Sequence, residues 1–279
     1  MLSDGDWQRV AELMRETAAA ELLPRFRNLA KEDIHQKGPG DVVTVADVAS
    51  EQRLAAGLAK ILPGVPVVGE EAVHKDPGLV DLIARAGEAC WIVDPLDGTS
   101  NFAAGKDRFA MIICLVQDTV AVGGWILDVP RGQMAVALKG QGVTLDGTPV
   151  QGTRPARPPI GFAGHKIRKA LDRQLPPSER RQLGRVSTLK CSGVEYLEIL
   201  SGHADFSLNH MTMPWDHAAG ALMLGEAGGG AERFDSRPYA PAQPTGAGLI
   251  AAADKGVLAE VRALFEAVRL PLLAGLPKP

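Results

Sequence analysis

Four apolar, β-branched runs follow one another in the middle of the chain: WIVD, AMIICLVQD, VAVGGWILDV and GQMAVALKG. Short turns separate them, so they read as strands of an antiparallel sheet. An Asp-Gly pair in LDGTP adds a hairpin turn behind the last run. Helical patterns precede this sheet. Trp7, Val10, Met14, Ala18 and Leu22 recur at helical spacing, which predicts a helix over 6–30 that Pro24 bends or ends. IHQKGPGDVVTVAD reads as a Gly/Pro loop and then a short β-rich run ending at Asp47, with a second helix over 46–61. VPVVGEEAV reads as a short strand running into Glu70 and Glu71.

The signals change at QGTRPARPPIG, whose prolines and arginines mark a linker between two parts, 1–152 and 153–279. The first part is α+β. In the second, strand patterns near 160–163, in ADFSL and in GLIAAA alternate with helices near 194–200, 216–227 and 255–268, which predicts an α/β half. Composition narrows the function classes. The apolar share of 46% and charged share of 23% are those of a soluble globular protein. A net charge of −3 gives no pull toward nucleic acid or an anionic membrane. No apolar run approaches the ~20 residues of a membrane span, and the first residues carry acids rather than the apolar core of a signal peptide. Cys90, Cys114 and Cys191 are odd in number and show no CxxC spacing, which predicts buried reduced thiols in a cytoplasmic protein and no zinc site. The six histidines are scattered, so a metal here must be held by oxygen.

The first strand ends in CWIVDPLDGTSNF. Two aspartates three residues apart, at the mouth of an apolar strand, repel each other unless something positive lies between them. Pro95 fixes its own φ and pushes Asp94 toward an extended conformation. The Leu96 carbonyl can then point the same way as the two carboxylates. Gly98 lets the backbone approach a ligand closely, and Thr99 and Ser100 open a helix whose first N–H groups suit an anion. Mg²⁺ takes this set of oxygens, and a pair of such ions can clamp a phosphate ester. Asp47, Glu70 and Asp216 likewise fall where an element begins or ends. Taken singly, each has an ordinary explanation as a helix cap or a solvated acid.

Taken in order, VTVAD, GEEAV, DPLDGTSNF, PWDHAAG and EAGGG resemble the inositol monophosphatase family over nearly the whole chain. The resemblance implies a layered αβαβα sandwich of the sugar-phosphatase type, with the active site between the halves. It implies that Glu70, Asp94 and the Leu96 carbonyl hold one Mg²⁺, and that Asp94, Asp97 and Asp216 hold a second, with Glu70 helping to hold a third. Thr99 and Asp47 would orient and deprotonate the attacking water, with Glu70 counted among the catalytic residues. The backbone of Gly98 and Thr99 would hold the phosphate, and Lys37 would stand near the metals. The family habit is a homodimer acting on a small phosphorylated metabolite.

The substrate-selecting part of the pattern departs from the family. In KCSGVEYLEIL, the segment holding Ser192 and Gly193, the position of a family alanine is taken by Glu195. The position seven before Asp216, where inositol enzymes carry a glutamate, is Asn209. Residues 154–185 are rich in Arg and Lys, and His165 and Lys166 are candidates for holding a second phosphate. The candidate substrates therefore include 3′-phosphoadenosine 5′-phosphate, fructose 1,6-bisphosphate and histidinol phosphate beside inositol phosphate. A non-catalytic role as a partner of RNA or the transcription machinery is the alternative from another class.

Overall fold

The computed structural model describes residues 3–38, 41–150, 152, 157–243 and 248–274. Helix α1 (Asp4–Thr17) is fixed at its start by Asp6, whose Oδ2 accepts from the backbone N–H and hydroxyl of Ser3. Its apolar stripe is buried as the spacing predicts, but the helix is shorter: it loosens into one π turn at Ala18–Leu22 and ends before Pro24. Strands β1 (Ile34–Gly38) and β2 (Asp41–Thr44) form a hairpin, so the segment before the Gly/Pro turn is itself a strand. Helix α2 (Val45–Ile61) follows directly, which places Asp47 in its first turn rather than at a strand end.

β3 (Val67–Gly69) and α3 (Glu70–Lys75) lead to the central strand β4 (Ala89–Asp97) and the single turn α4 (Thr99–Ala103). Then come β5 (Ala110–Gln117), β6 (Val120–Asp128), β7 (Gln133–Leu138), β8 (Gly142–Leu145) and β9 (Thr148–Pro149). These form a seven-stranded sheet in chain order. It is antiparallel except at β3–β4, where α3 and a 3₁₀ segment at Pro77–Ala84 supply the crossover that a parallel pair needs. The expected Asp-Gly turn joins β8 to β9, with Asp146 and Gly147 both at positive φ.

The second sheet is mixed rather than purely parallel. It contains β10 (Gly161–Ala163), β11 (Val186–Ser187), β12 (Phe206–Asn209), β13 (Gly230–Arg233) and β14 (Leu249–Ala252). Between the strands run α5 (His165–Gln174), α6 (Pro177–Arg180), α7 (Ser192–Leu200) and α8 (Pro214–Glu226), with α9 (Lys255–Ala274) last. The linker expected at 151–161 falls partly outside the described residues, as does Arg154.

Alternation along the strands sorts the side chains into layers. Trp91, Val93 and Trp125 face α1 and α2, packing on Val10, Met14, Leu54 and Leu58. Ile92, Ile112 and Ile126 face the other way, onto Val194 and Leu197 of α7 and Ala219 and Met223 of α8. The outer face of the second sheet packs Phe206 and Ile250 on α5 and α9 through Ile167, Leu171, Val257 and Val261. The result is the five-layer αβαβα sandwich. Helices α7 and α8 lie between the two sheets, so residues at their N-termini meet the end of β4. Among the described residues no helix is long and apolar enough to cross a membrane.

Candidate active site

On a regular strand, residues three apart point to opposite faces. Asp94 and Asp97 do not, because the β4–β5 register slips between them. Asp94 pairs with Ile112 and Asp97 with Ala110, so three steps on β4 match two on β5. Pro95, which lacks an N–H for the ladder, sits in this bulge. The extra residue turns both carboxylates toward the N-terminus of α8, where Asp216 occupies the first turn behind Pro214. Asp94, Asp97 and Asp216 each offer an oxygen within 4.8 Å of the others. Burial, with Glu70, Asp97 and Asp216 nearby, pushes the Asp94 carboxyl well above the usual carboxylate range.

Asp97 is gripped from the C-terminal half. Its Oδ2 accepts from the Gly193 N–H (2.5 Å) and the Cys191 thiol (3.0 Å) at the start of α7. Burial still raises its pKa, against the hydrogen bonds from Cys191, Gly193, Ser192 and Gly98. Asp216 is steadied by its neighbour. His217 is buried, and burial lowers its pKa to about 4. Its Nδ1 lies 3.1 Å from the Tyr196 hydroxyl and its Nε2 3.0 Å from the Met211 carbonyl, tying α8 to α7 and to the preceding loop.

Asp47 divides its two oxygens. Oδ2 accepts from the Thr44 N–H (2.8 Å) and hydroxyl (2.6 Å), which caps α2. Oδ1 lies 2.9 Å from the Thr99 hydroxyl, which is also 2.8 Å from the Leu96 carbonyl. Burial pushes Asp47 up to about 6 despite these hydrogen bonds. Glu70 opens α3, and Lys37 reaches it from β1 at 2.9 Å while also donating to Glu71 at 2.6 Å. The Lys37 side chain is 4% exposed, and Glu71 is buried with it. Burial works against the Lys37 charge, yet Glu70 and Glu71 hold its pKa above the usual range. Burial also pushes Glu70 up to about 7.

These groups line a cavity of about 400 Å³ whose walls include Glu70, Asp94, Leu96, Asp97, Gly98, Thr99 and Asp216, together with Ser100 and Lys190. A second cavity of about 530 Å³ adjoins it through Glu70 and Asp216 and carries Lys37, His74, Met211, Met213 and Trp215. Gly98 sits at φ +87, and a Cβ there would stand 2.9 Å from the Arg108 carbonyl. Gly98→Ala is therefore expected to cost about 2 kcal/mol or more. It should lower Tm by roughly 4–8 °C, as thermal unfolding would show.

The expected substrate residues divide. Ser192 and Gly193 act on Asp97 through their backbone. Glu195 is buried and turned inward, its Oε1 accepting from the Leu189 N–H (2.9 Å) and the Thr188 hydroxyl (3.3 Å). Asn209 donates to Ser207. His165 and Lys166 start α5. None of these six lines either cavity. Elsewhere in the basic segment, Arg157 pairs with Glu260 and Arg180 with Asp172 on the surface. The sequence marks Cys191 only as a buried thiol and does not mark Lys190, so neither stood among the expected site residues. Their only signal was position, directly before α7.

Comparison with known proteins shows the family and the fold. A family model described as the inositol monophosphatase family matches residues 6–268. The chain is 30% identical over 267 residues to an inositol-1-monophosphatase of Mycobacterium leprae, covering 89% of each chain. It is 29% identical to a protein named Nus factor SuhB of Pseudomonas aeruginosa, covering 76% of this chain and 80% of that one. The inositol monophosphatase-II structure from Staphylococcus aureus superposes with a TM-score of 0.76 at 21% identity, covering 96% of this chain and 97% of that one. The chain belongs to the inositol monophosphatase family, a family of metal-dependent phosphatases.

Proposed function

We propose that this chain hydrolyses a small phosphomonoester with metal-activated water, and that the metal is Mg²⁺. The observation that carries the reading is the convergence of Asp94, Asp97 and Asp216 beside the Thr99–Asp47 pair. The donor set fits a hard cation, since it offers carboxylates and the Leu96 carbonyl and no thiolate or imidazole. Glu70, Asp94 and Leu96 would hold one ion and Asp94, Asp97 and Asp216 another, with Glu70 also serving a third. When bound, Mg²⁺ would neutralise phosphate oxygens, make water a nucleophile at neutral pH and stabilise the leaving alkoxide.

The chain's own groups do the rest. The Thr99 hydroxyl holds the attacking water and passes its proton toward Asp47, which burial keeps poised near neutrality as a base. The water oxygen bonds to phosphorus, the ester P–O bond breaks, and the alkoxide takes a proton from solvent. The backbone at Gly98 and Thr99 orients the phosphate, and Lys37 fixes Glu70. The two parts, 1–152 and 153–279, contribute opposite walls, the second supplying Asp216 and the grip on Asp97. A cytoplasmic setting rests on the three buried, unpaired cysteines, and a homodimer on the family resemblance.

The test is phosphate release from inositol 1-phosphate, fructose 1,6-bisphosphate, 3′-phosphoadenosine 5′-phosphate and histidinol phosphate, with Mg²⁺ and with chelator. Release from at least one ester, abolished by chelation, is expected. Release indifferent to chelator would overturn the metal reading. No release from any ester would favour the second reading, a binding role such as the name of the Pseudomonas aeruginosa relative suggests.

A further inference from the structure

Lys190 is the residue whose placement the chemistry above leaves unexplained. It lines the same cavity as Asp94, Asp97, Gly98 and Ser100. Among the described residues it has no carboxylate within ion-pair distance, although the cavity is rich in acids. Its backbone is in the left-handed region, φ +55. That conformation is unfavourable for a side chain of this kind and persists only where the surroundings impose it.

Those surroundings come from both halves of the chain. From α7, Glu195 Oε1 accepts from the Leu189 N–H and the Thr188 hydroxyl. The Thr188 hydroxyl in turn accepts from the Lys190 N–H at 3.1 Å. From α4, the Asn101 amide donates to the Leu189 carbonyl at 2.9 Å and the Lys190 carbonyl at 3.3 Å. Asn101 and Glu195 are both buried. The loop is thus held on its N–H side by one helix and on its carbonyl side by the turn that follows Gly98. The Lys190 side chain, exposed at the cavity wall, is held by none of these contacts.

Building on the phosphoesterase reading, we propose that Lys190 is the specificity-determining cation of this site. It takes an anionic group, phosphate or carboxylate, carried by the alcohol part of the substrate. Glu195 stands where the family pattern led us to expect a contact with the alcohol, and instead it holds the loop that presents the lysine. His165 and Lys166, the candidates in segment 154–185 for holding a second phosphate, line neither cavity. The held loop fixes where Lys190 leaves the backbone, and its exposed ammonium can make a charge-assisted hydrogen bond to an anionic group.

The test uses matched esters that differ by one anionic group: fructose 1,6-bisphosphate against fructose 1-phosphate, and 3-phosphoglycerate against glycerol 1-phosphate. Affinity is read by calorimetry with Mg²⁺ in a Thr99→Ala background, alone and combined with Lys190→Met or Lys190→Arg. In the background protein the extra anion is expected to tighten binding about tenfold or more for at least one pair. Lys190→Met should reduce that ratio to less than about threefold, and Lys190→Arg should retain it. The pair that responds tells phosphate from carboxylate. A ratio near one in the background protein, or one unchanged by Lys190→Met, overturns the proposal. Because the readout is affinity, a Lys190-dependent ratio without phosphate release from the wild-type protein would remove the phosphatase reading alone. Unchanged ratios in an active enzyme would remove this proposal alone.

Discussion

Asp97→Asn is expected to reduce metal-dependent phosphate release by about 10²–10³-fold or more, the scale of losing one electrostatic stabiliser of a transition state. The substitution keeps the shape of the side chain, so folding should survive. The amide must still accept from Gly193 and Cys191, the two donors on Oδ2. Its oxygen takes that position, which turns the NH₂ group toward Asp94 and Asp216. A donor then stands where a cation needs an acceptor. Release assays over a range of Mg²⁺ concentrations, with unfolding curves as a control, measure the outcome. Wild-type release at ordinary Mg²⁺ from the folded variant would remove Asp97 from the metal set.

The reason Asp97 was legible in the sequence, while its grip was not, is local against distant information. DPLDGT carries its message within six residues: a proline that breaks the ladder, two acids, and a glycine where the backbone must turn through positive φ. The antiparallel strands from β4 to β7 were legible for the same reason, since hairpins link neighbours, whereas β1 was read as part of a Gly/Pro loop. The Cys191 and Gly193 contacts to Asp97 span more than ninety residues and depend on how α7 docks between the sheets, which no local pattern records. Lys37 is similar: the resemblance placed it near the metals, but its contacts with Glu70 and Glu71 arise only when the hairpin folds it against them. Glu195 misled in the opposite direction. An acid at a substrate position suggests a ligand, but helix phase points it back at the loop before its own helix. The α1 stripe gave the buried face correctly and the length incorrectly, because the pattern persists through the π turn where α-helical bonding stops.

A second large effect concerns stability. Chelated protein holds Asp94 buried among Glu70, Asp97 and Asp216, and burial together with those neighbours makes its negative charge unfavourable. A cation bound only by the folded state removes that repulsion. At a concentration of one hundred times its Kd, it adds about 2.7 kcal/mol. For a chain of this size Mg²⁺ is therefore expected to raise Tm by roughly 5–10 °C over the chelated protein. Asp94→Asn separates this cause from a general effect of salt. An amide there still accepts from the Leu96 N–H, as Oδ1 does at 3.0 Å, and it carries no charge to repel. The variant is expected to be more stable than wild type without metal, by about 1–3 kcal/mol, and to lose most of the response to Mg²⁺. Repulsion and metal binding have one source, so the two changes must appear together. A variant less stable than wild type in chelator, or one that keeps the full Mg²⁺ response, would place the metal elsewhere and leave Asp94 a structural acid.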